Sequence, residues 1–221
     1  MKNERFDDVV HDYIDFINQQ VGAYMDALAG FEGHHTRVER QIARINAPVG
    51  TRLNNKGEEI IVRVGYDDPS RPDVIHNRII RASDYVKGNS RGGANEQQHS
   101  KAILIFVYAY WEHDVRKRLA KSKGVKSDRI QSDIMGDLRI LRNAILHRKS
   151  FLDDAAHGRL KKLGDSFPNE GLIQFEYDSM QKIFVLIKQD LGKMLLEFLG
   201  APEPPGGMDN IVDIAYPRNV K

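Results

Sequence analysis

"AILIFVYAYWEHDVRKRLAKSKGVK", residues 102–126, is the most apolar stretch of the chain, and its reading sets the fold class. Leu104, Val107, Tyr108, Trp111, Val115 and Leu119 recur at steps of three and four, the rhythm of one helix face. Ile103, Phe106 and Tyr110 add a second stripe. A helix that is apolar on two sides lies between layers, either centrally in a bundle or at a subunit interface. The pattern predicts a helix over about 98–122, with Gly124 as its C-cap. Glu112 is an acid set in its middle, where a polar group is normally paired or exposed.

Helical patterns lie on both sides. Phe6, Val10, Tyr13, Ile17, Tyr24 and Leu28 mark a first helix over about 4–29. Gly30 and Gly33 are read as interrupting it, and a second segment carries Val38, Ile42 and Ile45 before Pro48. Residues 48–97 read as an insertion. "TRLNNKGEEIIVRVGY" suggests two short strands around an Asn-Lys-Gly turn, "DDPSRPD" a loop, and "KGNSRGGANEQQ" a flexible polar stretch. A helix over about 127–147 starts at Ser127 or Asp128 and buries Ile134, Leu138, Leu141 and Ile145. A long connection with room for a short helix leads to the last helix. That helix is opened by an Asp178/Gln181 capping box and buries Ile183, Phe184, Ile187, Leu191, Leu195 and Phe198. "GAPEPPGG" ends it. The chain therefore reads as an all-α domain over residues 1–199 holding a small β-containing insertion at 48–97. A Pro/Gly-rich, extended tail follows over 200–221.

Composition narrows the classes. With 41% hydrophobic and 29% charged residues the chain can build a core and a charged surface. No apolar run approaches the roughly 20 residues of a membrane span, and the charged start is not that of a secretory leader. The absence of cysteine removes disulfides, thiolate zinc sites and a cysteine nucleophile. These features together predict a cytoplasmic protein. A net charge of +2 permits a nucleic-acid partner without requiring one. The one basic run, Arg116 to Lys126, caps a helix end favourably and also offers Arg116 and Lys117 to phosphates.

The chemistry concentrates in "DLRILRNAILHRKS", residues 137–150. At about 100° per residue, His147 lies about 40° from Asn143 and about 140° from Arg142. Arg139, Asn143 and His147 thus form a polar ridge beside the packing face, toward which the long Arg142 side chain can lean. His147, Arg148 and Lys149 also complement the dipole at a helix C-terminus. An arginine followed by histidine at this spacing occurs three times, as Arg5–His11, Arg71–His76 and Arg142–His147. Context separates them. Arg71 precedes a proline and Arg5 precedes Phe6, whereas Arg142 is followed by the polar Asn143 at the end of an amphipathic helix.

"RNAILH" resembles the signature of HEPN-domain proteins, compact helical bundles whose motif is an arginine, commonly followed by a polar residue, and a histidine after four to six intervening residues. The helix order over residues 98–199 resembles theirs as well. The resemblance implies an up-and-down helical bundle and a metal-independent endoribonuclease that uses no cofactor. His147 would be the acid/base, Arg142 the phosphate clamp and Asn143 an orienting group. Arg139, Arg148, Lys149, Arg116 and Lys117 would contact RNA, and Glu112 would support the site. The residue types suit that reaction, because an imidazole titrates near neutrality and a guanidinium grips two phosphoryl oxygens. One imidazole does not easily serve as both base and acid, so the resemblance also implies a homodimer with both motifs lining one cleft. A toxin–antitoxin or phage-defence setting, with an antitoxin or regulatory protein as partner, belongs to the same implication. Two other readings are a non-catalytic HEPN-like module binding nucleotide, RNA or a protein, and a purely structural adaptor. His34 and His35, with Glu32 and Glu39 nearby, lack the spacing of a metal site, and none is predicted.

Overall fold

The computed structural model describes residues 4–45, 59–67, 75–204 and 207–208. Its elements are α1 (Phe6–Arg44), β1 (Ile61–Asp67), β2 (Ile75–Arg81), α2 (Ala82–Asn89) and α3 (Ala94–Tyr110). A π-helical turn (Trp111–Val115) joins α3 to α4 (Arg116–Lys123). Then follow α5 (Asp133–His147), β3 (Phe151–Leu152), α6 (Asp154–His157), β4 (Gly171–Leu172) and α7 (Tyr177–Leu199). The protein is mostly helical, as expected. Among the described residues no helix is long and apolar enough to cross a membrane. Two compact units divide it: Met1–Tyr24 with His99–Lys221, and Met25–Gln98.

The first unit is a helical bundle whose core takes one face from each long helix. Val9, Val10, Tyr13 and Ile17 of α1 are buried, as are Leu104, Val107, Trp111, Val115 and Leu119 along α3 to α4. Ile134, Leu138 and Leu141 of α5 and Ile183, Phe184, Ile187 and Leu191 of α7 are buried too. Burying each such side chain stabilises by roughly 1.5–3 kcal/mol. Tyr13 enters this core with its hydroxyl satisfied, donating to the Val107 carbonyl at 3.0 Å. Phe6 stacks on Phe198 at 4.3 Å, although Phe198, expected in the core, keeps 40% of its surface exposed. The second apolar stripe of α3 splits: Ile103 is buried, whereas Phe106 is 54% exposed and packs edge-on to Phe16.

In the second unit β1 and β2 pair antiparallel, from Ile61 opposite Arg81 to Asp67 opposite Ile75. The expected strand partner on the other side of β1, and the Asn-Lys-Gly turn, lie outside the described residues. The partner observed instead follows the "DDPSRPD" segment. A small core joins Val38 and Ile42 to Ala82, Tyr85 and Val86.

Four local expectations need correction. α1 is one continuous helix through Gly30 and Gly33. Two helical glycines cost about 1 kcal/mol each, and buried Tyr24 on one side and Val38 and Ile42 on the other offset that. The polar stretch at 87–98 is the end of α2, an ordered turn over 90–93 and the start of α3. The buried Glu96 carboxylate accepts the Gly92 N–H at 2.7 Å, and Asn89 is bonded by Asn95 at 3.0 Å. Gly93 is required there, since a Cβ would lie 2.5 Å from the Lys87 carbonyl oxygen. α5 begins later than expected, capped by Ser132 on the Met135 N–H at 3.2 Å. Ser127–Arg129 form only a 3-10 turn, which ends at the extended, buried Ile130. α7 is opened by Glu176 with Ser179, not by Asp178 with Gln181. Gly200, in the left-handed region, closes it. The extended tail beyond Met208 lies outside the described residues.

Candidate functional site

The ridge expected on α5 is built from its last three turns. Leu138, Leu141 and Ala144 turn inward, which leaves Arg139 and His147 exposed and Arg142 and Asn143 half-buried. Arg142 leans toward the ridge: its Nη1 donates to Asn143 Oδ1 at 3.0 Å. Its guanidinium also lies over the Tyr108 ring, 5.8 Å from the centroid, where the ring face attracts a cation. The arginine is thus held by a ring from α3 and an amide from its own helix. His147 is one turn further on, and among the described residues no hydrogen bond or ion pair ties its imidazole to Arg142 or Asn143.

The chain reverses sharply just past His147. Arg148 N–H and Ser150 N–H both return to the Ala144 carbonyl at 3.0 Å. Lys149 and Ser150 sit at φ 52 and 65, left-handed backbone that non-glycine residues rarely adopt. Ser150 is buried, its carbonyl accepts the Ile173 N–H at 2.8 Å, and Arg148 pairs with Asp153. The turn that presents His147 is therefore anchored on both sides, with Lys149 left exposed.

Tyr108 links the ridge to a cleft of about 260 Å³, which Tyr108 itself, Trp111, Glu112, Arg116 and Arg139 help to line. Burial raises the Tyr108 phenol above its usual range. The Glu112 carboxylate adds to that, whereas Arg139, Arg142 and Arg116 act against it. Glu112 stands on the π-helical turn, a rare feature that recurs at functional sites. Both its oxygens accept from Arg116 Nη1 at 3.1 Å, while Arg116 Nε donates to the Ile130 carbonyl at 3.0 Å. Arg116 is thus largely occupied in fastening α4 to the approach of α5.

No family model, no curated protein and no solved structure matches this chain.

The functional reading therefore rests on geometry. Arg142 and Asn143 are brought together; Arg139 shares the cleft with Glu112 and Arg116; His147, Arg148, Lys149 and Lys117 do not line it. The basic run is partly neutralised. Arg118 gathers Glu4, Asp12 and Asp114, holding the Glu4 carboxyl below its usual range, and Lys123 reaches Glu197. Lys117, Lys121 and Lys126 remain exposed. The competing Arg5 pairs with Asp7, and His34 is bonded by Tyr85 at 3.0 Å and Arg37 at 3.1 Å.

Two residues escaped the sequence reading. Tyr108 looked like core, which its ring is. Asp137 lay in the quoted motif stretch at a position of the buried stripe, and an acid in that register was the available signal. Its carboxylate, 1% exposed, accepts the backbone N–H groups of Lys161, Lys162 and Leu163 at 2.7–3.1 Å.

Proposed function

We propose that the protein is a metal-independent endoribonuclease of the HEPN type, acting as a homodimer in the cytoplasm. The observation that carries this reading is the helix-end triad. Arg142 is oriented by Asn143 and Tyr108, and an exposed imidazole stands five residues on, about 7.5 Å along the axis.

In the proposed reaction one His147 imidazole takes the proton of an RNA 2′-hydroxyl. The 2′-oxygen forms a bond to the adjacent phosphorus as the bond from phosphorus to the 5′-oxygen breaks. The His147 of the second copy delivers a proton to that leaving oxygen. The products are a 2′,3′-cyclic phosphate and a 5′-hydroxyl. Arg142 holds the charge that develops on the phosphoryl oxygens, and the Asn143 Nδ2 group, not used by Arg142, is available to them. Phe106, exposed and packed on Phe16, which Tyr110 also contacts, offers apolar surface for a second copy. A toxin or phage-defence role with a restraining protein partner fits such an activity.

Cleavage of mixed RNAs in excess EDTA by wild type, Arg142→Ala and His147→Ala tests the reading. Each substitution is expected to lower the rate by about 10²–10⁴, with the helical circular-dichroism spectrum unchanged. If neither changes cleavage, the triad is not the active site.

A further inference from the structure

α5 ends unlike α4 and α7. α4 closes on Gly124 at φ 69 and α7 on Gly200 at φ 64, so glycine takes the left-handed position where it costs least. α5 closes on Arg148, and the next two residues, Lys149 and Ser150, both take positive φ, 52 and 65. The Phe151 N–H donates to the Arg148 carbonyl at 2.9 Å across them. Two positive φ values in that place make a mirror-image turn, which normally carries Asn-Gly. Lysine and serine are strained there, because each Cβ crowds the following carbonyl oxygen.

Strain of this kind persists only where the surroundings over-determine it. Ser150, 7% exposed, gives its N–H to the Ala144 carbonyl at 3.0 Å and accepts the Ile173 N–H at 2.8 Å. The Ala144 carbonyl also takes the Arg148 N–H at 3.0 Å, and Arg148 is held by Asp153. On the far side, Leu152 is fully buried and Phe151 pairs with Leu172. Helix ends ordinarily fray. His147 is the last residue of α5 and is exposed, and among the described residues no hydrogen bond or ion pair holds its imidazole. Where the ring stands is therefore set by the backbone of the last turn, which this reversal closes.

We infer that Lys149 and Ser150 are positioning residues for His147, their left-handed turn making a helix end into a rigid mount for the imidazole. The effect on rate rests on the ribonuclease reading; the effect on order does not. Glycine in either place relieves the strain but restores freedom to the backbone. Stability and activity therefore separate at this turn: a glycine variant is at least as stable as wild type and a slower enzyme.

The full chain is compared with Lys149→Gly, Lys149→Asn and Ser150→Gly, with matched melting curves to show that each is folded. Both Lys149 variants lose the same charge, but asparagine tolerates left-handed backbone without the wider freedom of glycine. The two glycine variants are expected to lower kcat on a single-stranded oligoribonucleotide by about tenfold to a hundredfold, the scale of a small misplacement of a reacting group. Lys149→Asn keeps kcat near wild type, and any rise in KM is shared by both Lys149 variants. Nitrogen-15 relaxation reads the order of the His147 amide with no substrate present. An order parameter of about 0.85, that of rigid backbone, is expected in wild type and Lys149→Asn, with a clear fall in the glycine variants. A His147 amide that is mobile in wild type, or equally ordered in all four proteins, overturns the inference. Unchanged kcat in the glycine variants of an active enzyme overturns it as well and leaves the ribonuclease reading standing. An ordered His147 that glycine loosens, in a protein that cleaves no RNA, overturns the ribonuclease reading and leaves the rigid mount standing.

Discussion

The two ends of α5 treat polar side chains in opposite ways. Near its start, Asp137 is buried and its carboxylate is saturated by three N–H groups of a distant loop. Near its end, His147 is exposed and His147, Arg142 and Asn143 keep donors and acceptors open. A buried charge must be fully paired or it costs several kcal/mol, so the first end is built for stability. The second end is tolerated because water satisfies it, which leaves its groups available to a ligand. Nearness in sequence is thus a poor guide to role: ten residues of one helix separate an anchor from a candidate acid/base.

The sharpest way to break this comparison is to exchange the consequences of the two ends. Asp137→Ala leaves three N–H groups without their acceptor and is expected to cost about 3–5 kcal/mol. His147→Ala should stay within about 0.5 kcal/mol of wild type. Chemical denaturation of the two variants decides it, and equal losses would erase the distinction. A smaller effect is expected at the reversal after His147. Lys149 holds a left-handed φ of 52, so Lys149→Gly should raise stability by up to about 1 kcal/mol. A melting temperature that falls instead would mean that the lysine side chain, not the backbone, sustains the turn.

The smallest effect concerns Asp190 of α7, which receives a hydrogen bond from the N-cap Ser132. Burial raises its carboxyl above the ordinary aspartate range, an effect that Ser132 opposes. A raised folded-state value contributes stability below the unfolded pKa of about 3.9, and that contribution is lost as the pH rises through the folded value. Asp190→Asn removes the dependence. The variant should therefore gain on wild type between pH 3.5 and pH 7 in denaturant titrations. A constant difference across that window would show that Asp190 ionises without penalty.

Much of the bundle was legible because long amphipathic helices repeat one signal many times. Leu104, Val107, Trp111, Val115 and Leu119 announced α3 and α4, and Ile183, Phe184, Ile187 and Leu191 announced α7. What escaped was set by single contacts. Gly30 and Gly33 looked like breaks because their local cost was visible and the buried anchors on either side were not. The turn around Gly92 and Gly93 looked loose because nothing local shows that Glu96 folds back onto it. β2 carries its pattern only in pairing with β1. At the site, the wheel placed Arg139, Asn143 and His147 on the outside of α5. It did not show that Arg142 lies over Tyr108, nor that Arg159 lines the same cleft as Arg139.

The sequence by itself determined that long helices dominate, that Arg142 and His147 end one of them, and that neither belongs to its apolar stripe. These follow from the helical period, which is a property of the backbone alone. Only the tertiary structure decided that Glu112 is bound to Arg116, that Asp137 is an anchor, and that a cleft lined by Arg139 and Arg159 opens beside the ridge. Each of those depends on groups brought together across long stretches of chain, where charge and burial are settled by packing.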